Sequence, residues 1–457
     1  MKLIYLIIIS QLSINYSVFG NWIQVGQELV GATTGERFGT VVKLSSDGIT
    51  LMGMSAGSYY DIEKTGIVRA YRFDGTNWEI QGTISGEEYF PITNASLSHD
   101  GNILSTYSGS ISRIKEYPIE TFYSNGYRII GDGLDYYAIN GNASKQIYIS
   151  NDNISVHFNY EGGSTSWILG NFEEIKSICL TKSGNHFAFG NHSEVTSEGS
   201  EGYRRGRGGA RSNSSESNIT EMVNVESNIT GMVNVYEFNG SWNQKGNPIT
   251  GNASFGENVA LNIDGTIVAV GAPVDNNYDG ISTGSVNIYE YDSSLNDWVQ
   301  RGQTIFGDAS SDKCGGALAI NEQGSIVAIG YKEHDGNGVD SGMVRAFEFN
   351  GSYWEQIGQD IYGEAANDFF GESLEMNAEG TRIAISSEHN DSNGVDAGHI
   401  RVFDFIPNQE PVIMPVYELK VFKSTDLNSW ELIETKNIET SEEDLFIKAE
   451  IAPKASN

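Results

Sequence analysis

Trp242, Trp298 and Trp354 stand 56 residues apart, and each is followed four residues later by a glycine: Gly246, Gly302 and Gly358. A motif at fixed spacing marks a chain built from repeated units, and that decides the fold before any single residue does. The clearest unit opens with Trp354 and Gly358, passes Ile361-Tyr362-Gly363 and reaches Phe370-Gly371. It continues with Leu374 and Met376, a Glu379-Gly380 turn and the run Arg382-Ile383-Ala384-Ile385. A loop of Asp, Asn and Gly leads to the closing run, Gly398 to Phe405. The copy before it repeats Ile326 to Gly330 and Gly342 to Phe347. The copy before that repeats Phe255-Gly256, Asp264-Gly265 and Ile267 to Gly271. The first copy holds Trp22, Gly26, Phe38-Gly39, Asp47-Gly48 and Gly66 to Tyr71.

Three copies between these are worn. One starts at Trp78 and keeps Gly82 and Asp100-Gly101. One starts near Tyr127, lacks the Trp, and turns at Asn140-Gly141. One starts at Trp167 and ends with Gly231 to Tyr236. Each copy fits four short strands, since its apolar runs are rich in Val, Ile, Phe and Tyr and are bounded by Gly and Asp. Asp-Gly between two such runs is a hairpin turn, because glycine accepts positive φ at low cost. Four strands per repeat describe a propeller blade. The sequence therefore predicts an all-β fold, a seven-bladed β-propeller of four-stranded antiparallel blades. The large aromatics are its inter-blade wedges. The repeats begin with a Trp strand and stop one strand short. The strand near Trp22 is thus expected to close the last blade beside Gly398 to Phe405, leaving no free sheet edge.

The Phe-Gly pairs, the Val270-Gly271-Ala272-Pro273 ending and the blade length resemble FG-GAP repeats, the blades of integrin α-chain propellers. The likeness covers Trp22 to Phe405. It implies a seven-bladed propeller with a role in adhesion or ligand binding. Integrin-type blades often carry Asp-x-Asp-x-Asp-Gly calcium loops between their first two strands. Here those turns are only Asp47-Gly48, Asp264-Gly265, Gln323-Gly324 and Glu379-Gly380, so the family's metal sites do not carry over.

The flanks have their own character. Lys2 followed by apolar Leu3 to Ile9 reads as an export signal spanning 1–20, with a cut before Asn21. That run is too short to span a bilayer, and no other candidate span exists, so the mature chain is expected to lack a transmembrane segment. The propeller is expected over 21–407. A Ser-, Glu-, Gly- and Asn-rich insert at about 192–230 interrupts it. The insert holds a basic Gly-rich patch, Arg204 to Arg211, read as a loop, and a tandem duplication, Glu216 to Val225 and Glu226 to Val235. The second copy is expected in the sheet. Residues 408–457 read as a linker and a small C-terminal β module, with strand-like runs at 417–422, 430–434 and 445–451.

With 60 acidic and 28 basic side chains, a net charge of −32, the surface repels phosphate backbones, so nucleic acid is not an expected partner. Two cysteines, Cys179 and Cys314, fall in different repeats and read as free thiols rather than as a disulfide framework. No nucleophile, zinc or phosphate-loop motif stands out. His334 and His389 follow Glu333 and Glu388 at equivalent repeat positions and read as part of the repeat. The candidate sites are the loops between second and third strands. Asp275, Asn277 and Asp279 sit in an Asp-x-Asn-x-Asp-Gly segment. Asp335, Asn337 and Asp340 recur as Asp391, Asn393 and Asp396. Such loops supply several of the six to eight oxygens calcium needs, or they simply make turns. With Glu364 and Asp368 they would give one acidic binding face.

The expected function is a secreted or cell-surface, non-catalytic binding or adhesion propeller that recognises a protein or glycan, with calcium as the candidate cofactor. A carbohydrate-active hydrolase or lyase with its site at the channel mouth is the alternative, and a structural envelope protein is a third reading.

Overall fold

Runs of β-branched and aromatic residues become strands throughout a computed structural model of the chain. It describes residues 4–15, 20–58, 65–87, 90–108, 113–120, 127–129, 134–139, 145–150, 153–160, 163–172, 174–195, 228–252, 254–407, 413–424 and 431–439. Among them every regular element is a strand, and no helix is long and apolar enough to cross a membrane. The chain divides into two units, Trp22–Phe405 and the joined termini.

In the terminal unit, Ile4–Asn15 pairs antiparallel with Ile413–Ser424, from Ile4 opposite Ser424 to Asn15 opposite Ile413. Glu431–Glu439 pairs on the other side of Ile413–Ser424. The apolar run expected as an export signal is thus an edge strand of the tail module. The third expected tail run, 445–451, lies outside the described residues.

The larger unit is a β-propeller of four-stranded antiparallel blades, named here by the Trp of the outer strand. The Trp78 blade comprises Val41–Leu44, Thr50–Ser55, Ile67–Phe73 and Trp78–Ser85. The next blade comprises Asn94–Leu97, Ile103–Ser108, Arg113–Pro118 and Tyr127–Ile129, with Tyr127 where the others have Trp. The Trp242 blade has Ile175–Leu180, His186–Val195, Asn228–Phe238 and Trp242–Gln244. The Trp298 blade runs from Asn258–Leu261 to Asp297–Gln300, and the Trp354 blade from Cys314–Ile320 to Trp354–Tyr362. The Trp22 blade combines Leu374–Met376, Arg382–Ser387 and His399–Ile406 with Asn21–Gln24 from the other end of the sequence.

The expectation of seven blades is corrected to six whose side-chain packing is described. The remaining repeat forms a four-stranded sheet, Leu134–Ile139 to Gly163–Asn171, described almost in backbone alone. It belongs to the one copy with neither Trp nor Phe-Gly at its start, the two features that lock neighbours elsewhere. Residues 140–141, the expected turn, lie outside the described residues. The second copy of the duplication does enter a strand, Asn228–Phe238, and the first lies outside the described residues, as do 204–211.

Burial falls from the second strand outward. Thr50–Ser55 and Ile267–Ala272 are buried at every position, as strands covered on both faces must be. The outer strand Trp354–Tyr362 buries only Trp354 and Ile361.

The motif works between blades. Gly26, Gly246 and Gly302 have φ near +72°, +71° and +78°, and each backs onto the indole of the next blade's Trp, namely Trp78, Trp298 and Trp354. Those indoles donate to main-chain carbonyls one residue before the glycines: Trp78 to Val25 (3.2 Å), Trp298 to Lys245 (2.8 Å) and Trp354 to Arg301 (2.7 Å). The glutamine after the glycine completes the grip. Gln303 accepts from the Trp354 amide (2.8 Å) and donates to its carbonyl (2.7 Å). Gln27 holds Trp78 in the same way, and Gln359 holds Trp22 across 337 residues of sequence.

Phe38, Phe255 and Phe370 are buried, and Gly39, Gly256 and Gly371 behind them have positive φ. In the Trp354 blade Cys314-Gly315 takes this place, with Cys314 buried and Gly315 at φ +84°. Closure of the ring matches the expectation: Leu29 lies opposite Ile400 and Val30 opposite His399. Around the axis the first hairpin turns bond end to end. The amides of Ile263, Glu322, Ala378 and Ser46 donate to the carbonyls of Glu322, Ala378, Ser46 and His99, at 2.7–3.1 Å.

Candidate functional site

The loops between second and third strands are built from Asx turns, in which a side-chain oxygen captures nearby amides. Asp275 accepts from the Asn276 amide (2.7 Å), the Ser285 hydroxyl (2.8 Å) and the Asn252 side chain. Asn277 accepts from the amides of Asp279 and Ile281, both at 3.0 Å, and Asp279 is exposed at the tip. In the next two blades the arrangement repeats. Asp335 accepts from the Asp340 amide (2.9 Å) and Asp391 from the Asp396 amide (2.8 Å). Asn337 and Asn393 reach sideways to the carbonyls of Gly363 (2.7 Å) and Gly31 (2.8 Å) in the connection to the following blade. Asp340 and Asp396 adopt left-handed φ of 53° and 51°, and Asp396 also meets His389 Nδ1 at 3.1 Å.

All nine loop residues therefore lie on three consecutive blades. Asp335 and Asp391 stand at equivalent places and Asp275 one place earlier, at that of His334 and Asn390, and each aspartate holds its own loop. Glu364 lies at the surface, but Asp368 does not. It is 3% exposed and caps the connection, accepting from the Ala365 amide and the Asn390 side chain. The acidic face is thus smaller than expected by that residue. It carries apolar tips instead: Val339 and Val395 are each 63% exposed and Tyr278 89%. Each valine is pinned, its carbonyl accepting from Asn367 or Gly35 of the next connection at 2.8 Å. His334 accepts the Gly336 amide at 3.0 Å, a turn contact in keeping with a repeat role.

A second concavity lies along the axis, a cavity of about 220 Å³ lined by first strands of several blades. Its charged groups are paired: Lys43 with Glu375 at 2.7 Å and Lys182 with Glu322 at 3.2 Å. Burial lowers the pKa of His99, keeping it neutral, and pushes the Cys179 thiol up to about 12. A neutral thiol and lysine-paired carboxylates supply no activated nucleophile.

Two clusters bring three acidic or imidazole side chains together among the described residues. Glu372, Glu388 and His389 form one, and Glu28, Glu364 and His399 the other. Burial and the neighbouring Glu372 raise the pKa of Glu388. None of the nine loop residues belongs to either cluster. The second cluster was missed in the sequence because Glu28 lies more than 330 residues from the other two members. One signal was present: His399 follows Gly398 where Ile67, Ser285 and Met343 follow the glycines of other blades.

The architecture defines a β-propeller. No protein-family model matches the chain, and no curated protein matches it. Among solved structures it is similar to the β-propeller domain of Cps50 (Swd1) from Myceliophteria thermophila, at 12% identity and a TM-score of 0.49, over 84% of this chain and 99% of that one. It is also similar to the C-terminal WD40 domain of Sif2, at 13% identity and a TM-score of 0.50, over 85% and 99% of the two chains. At such identity the Sif2 likeness is one of fold.

Proposed function

We propose that this chain is an exported, non-catalytic propeller that binds a protein partner through the loop face of the Trp298, Trp354 and Trp22 blades. The observation that carries the reading is the repeated tip, an exposed Tyr278, Val339 or Val395 beside an exposed Asp279, Asp335 or Asp391. Apolar side chains held out by a rigid scaffold supply contact area at little entropic cost on binding. The acids around them favour a partner with a cationic segment. No observation favours a glycan, and the paired charges of the axial cavity do not favour the hydrolase or lyase reading. The blades are read as FG-GAP-like on their Phe-Gly and Val-Gly-Ala-Pro segments.

The test is affinity capture from the source culture with wild type and with Val339→Asp/Val395→Asp. One partner, lost from the variant and released by moderate salt, is the expected result. Equal capture by both proteins would remove this face from the function. Export rests on the apolar run after Lys2. N-terminal sequencing of the secreted protein is expected to begin at Asn21, and a retained Ile4–Asn15 would place that run permanently in the tail sheet instead.

A further inference from the structure

Ring closure assembles a cluster that no single repeat contains. Glu28 precedes the closing segment Leu29–Val30, His399 lies opposite Val30, and Glu364 follows the outer strand of the Trp354 blade. One ligand atom of each lies within 4.8 Å of the others. His399 is fully buried, with Nδ1 4.0 Å from a Glu28 carboxylate oxygen, and neither ring nitrogen has a hydrogen-bond partner. A neutral imidazole has one donor and one acceptor to satisfy, so a buried ring with both unmade needs an explanation.

The neighbouring blade is an internal control. There Arg345 stands at the position of Arg401, Asp360 at that of Glu28 and Asp308 at that of Glu364. Arg345 bonds Asp360 twice (2.7 and 2.8 Å) and Asp308 at 2.9 Å, forming a closed ion cluster. Met343 occupies the place of His399. In the Trp22 blade the lock is open. Arg401 turns to the Tyr362 carbonyl (2.7 Å), reaches Glu364 only at 3.5 Å, and leaves its Nε unpaired. Burial, then the neighbouring Glu364, raises the pKa of Glu28. Counting buried Asp368, which also acts on Arg401, three carboxylates face one guanidinium, the same count that buried Asp312 gives the neighbouring blade. Fully ionised, the group lacks two positive charges.

We propose that Glu28, Glu364 and His399 bind one divalent transition-metal ion of the zinc class. One nitrogen and two carboxylate ligands suit zinc, whereas calcium takes oxygen ligands. The ion takes the Nδ1 lone pair of His399 and balances the charge of the cluster. Ligand oxygens and nitrogens around zinc lie about 2.0–2.2 Å from the metal, so the two glutamates must close inward. They are the partly exposed members, at 32% and 40%, and so provide both the freedom to move and the route of entry. The ion would join the N-terminal segment, the last strand and the preceding blade, stapling the closure.

The full chain, stripped with EDTA and dialysed against zinc, is expected to take up one equivalent and to gain thermal stability. Cobalt in place of zinc is expected to show visible d–d absorption. His399→Met, which copies Met343 of the neighbouring blade, is expected to fold with wild-type circular dichroism and to lose at least 100-fold in affinity. Glu28→Gln and Glu364→Gln are each expected to lose at least tenfold. No stoichiometric uptake by wild type, or equal uptake by His399→Met, would overturn the site.

Discussion

Gly302→Ala isolates the contact on which the repeat depends. A Cβ at Gly302 would lie 2.8 Å from Trp354 Cδ1 and 3.1 Å from its Nε1. The indole cannot step aside. It is 2% exposed, donates to the Arg301 carbonyl, and its backbone is gripped on both sides by Gln303. Two costs add. A non-glycine residue in the left-handed region costs about 1–2 kcal/mol, and forcing an extra carbon into a packed site costs about 1–3 kcal/mol. Gly35 supplies the control, since its φ of +74° is nearly that of Gly302 (+78°) and nothing lies within 4 Å of its Cβ position. Gly35→Ala should therefore lose only the backbone part, about 1–2 kcal/mol, and Gly302→Ala about 2–5 kcal/mol. Urea unfolding followed by tryptophan fluorescence measures both, with the slope unchanged if only stability has moved. A Trp354→Phe background should shrink the difference, because the two sites are in contact and their effects couple. Equal destabilisation by the two alanines would mean that the glycine is needed for its φ alone, and that the inter-blade grip has been misread.

Three further outcomes follow from the same geometry. Gln359→Ala removes both bonds to the Trp22 backbone (2.9 and 2.6 Å), at a cost of about 1–3 kcal/mol; hydrogen exchange should speed up at 21–24 and 29–30 before the rest of the propeller. The loop carboxylates already serve their own amides, so millimolar calcium is expected to leave the melting temperature where EDTA leaves it; a rise abolished by Asp391→Asn would restore the calcium reading. Burial, then the Arg401 charge, lowers the pKa of His399 from 6.5 to about 3, so the unfolded chain takes up this proton first. Its contribution is complete above pH 6.5 and falls as pH drops toward 3, by about 2–3 kcal/mol at pH 4.5. In EDTA, His399→Met should lose less stability than wild type between pH 6.5 and 4.5, and parallel profiles would rule out this assignment.

What could be read from the sequence was whatever the repeat wrote several times. A tryptophan and a glycine at fixed spacing are legible because few pairs of residues fit a ring against a bare backbone. The closing strand was legible from phase alone. Single substitutions inside the pattern were harder to see. Cys314 keeps the backbone of a Phe-Gly step but not its ring, so only its neighbours reveal its place. Asp368 was expected at the surface, where carboxylates usually are; a buried acid capping a connection looks the same in sequence. The loop acids had two readings, turns or ligands, and the hydrogen bonds that make them turns appear only in three dimensions.

The position three residues after the third-strand glycine shows how the repeat varies its chemistry without changing its backbone. Arg69 pairs there with Glu36 at 2.5 Å. Asn234 donates to Asn191 at 3.0 Å. Asn287 accepts from the Thr304 hydroxyl at 2.6 Å, and Arg345 is locked between two aspartates. Four blades thus solve the same problem, a buried polar place beside a connection, by giving it a side-chain partner. Arg401 is the fifth solution, reaching Glu364 only at 3.5 Å, with a histidine two residues before it and longer acids around it. A polar network left half-satisfied is less stable than a complete one or none. The blade that departs is also the one that must join the two ends of the chain. The simplest physical account is that the unpaired His399 ring takes a cation, supplied from outside the chain when the ring closes.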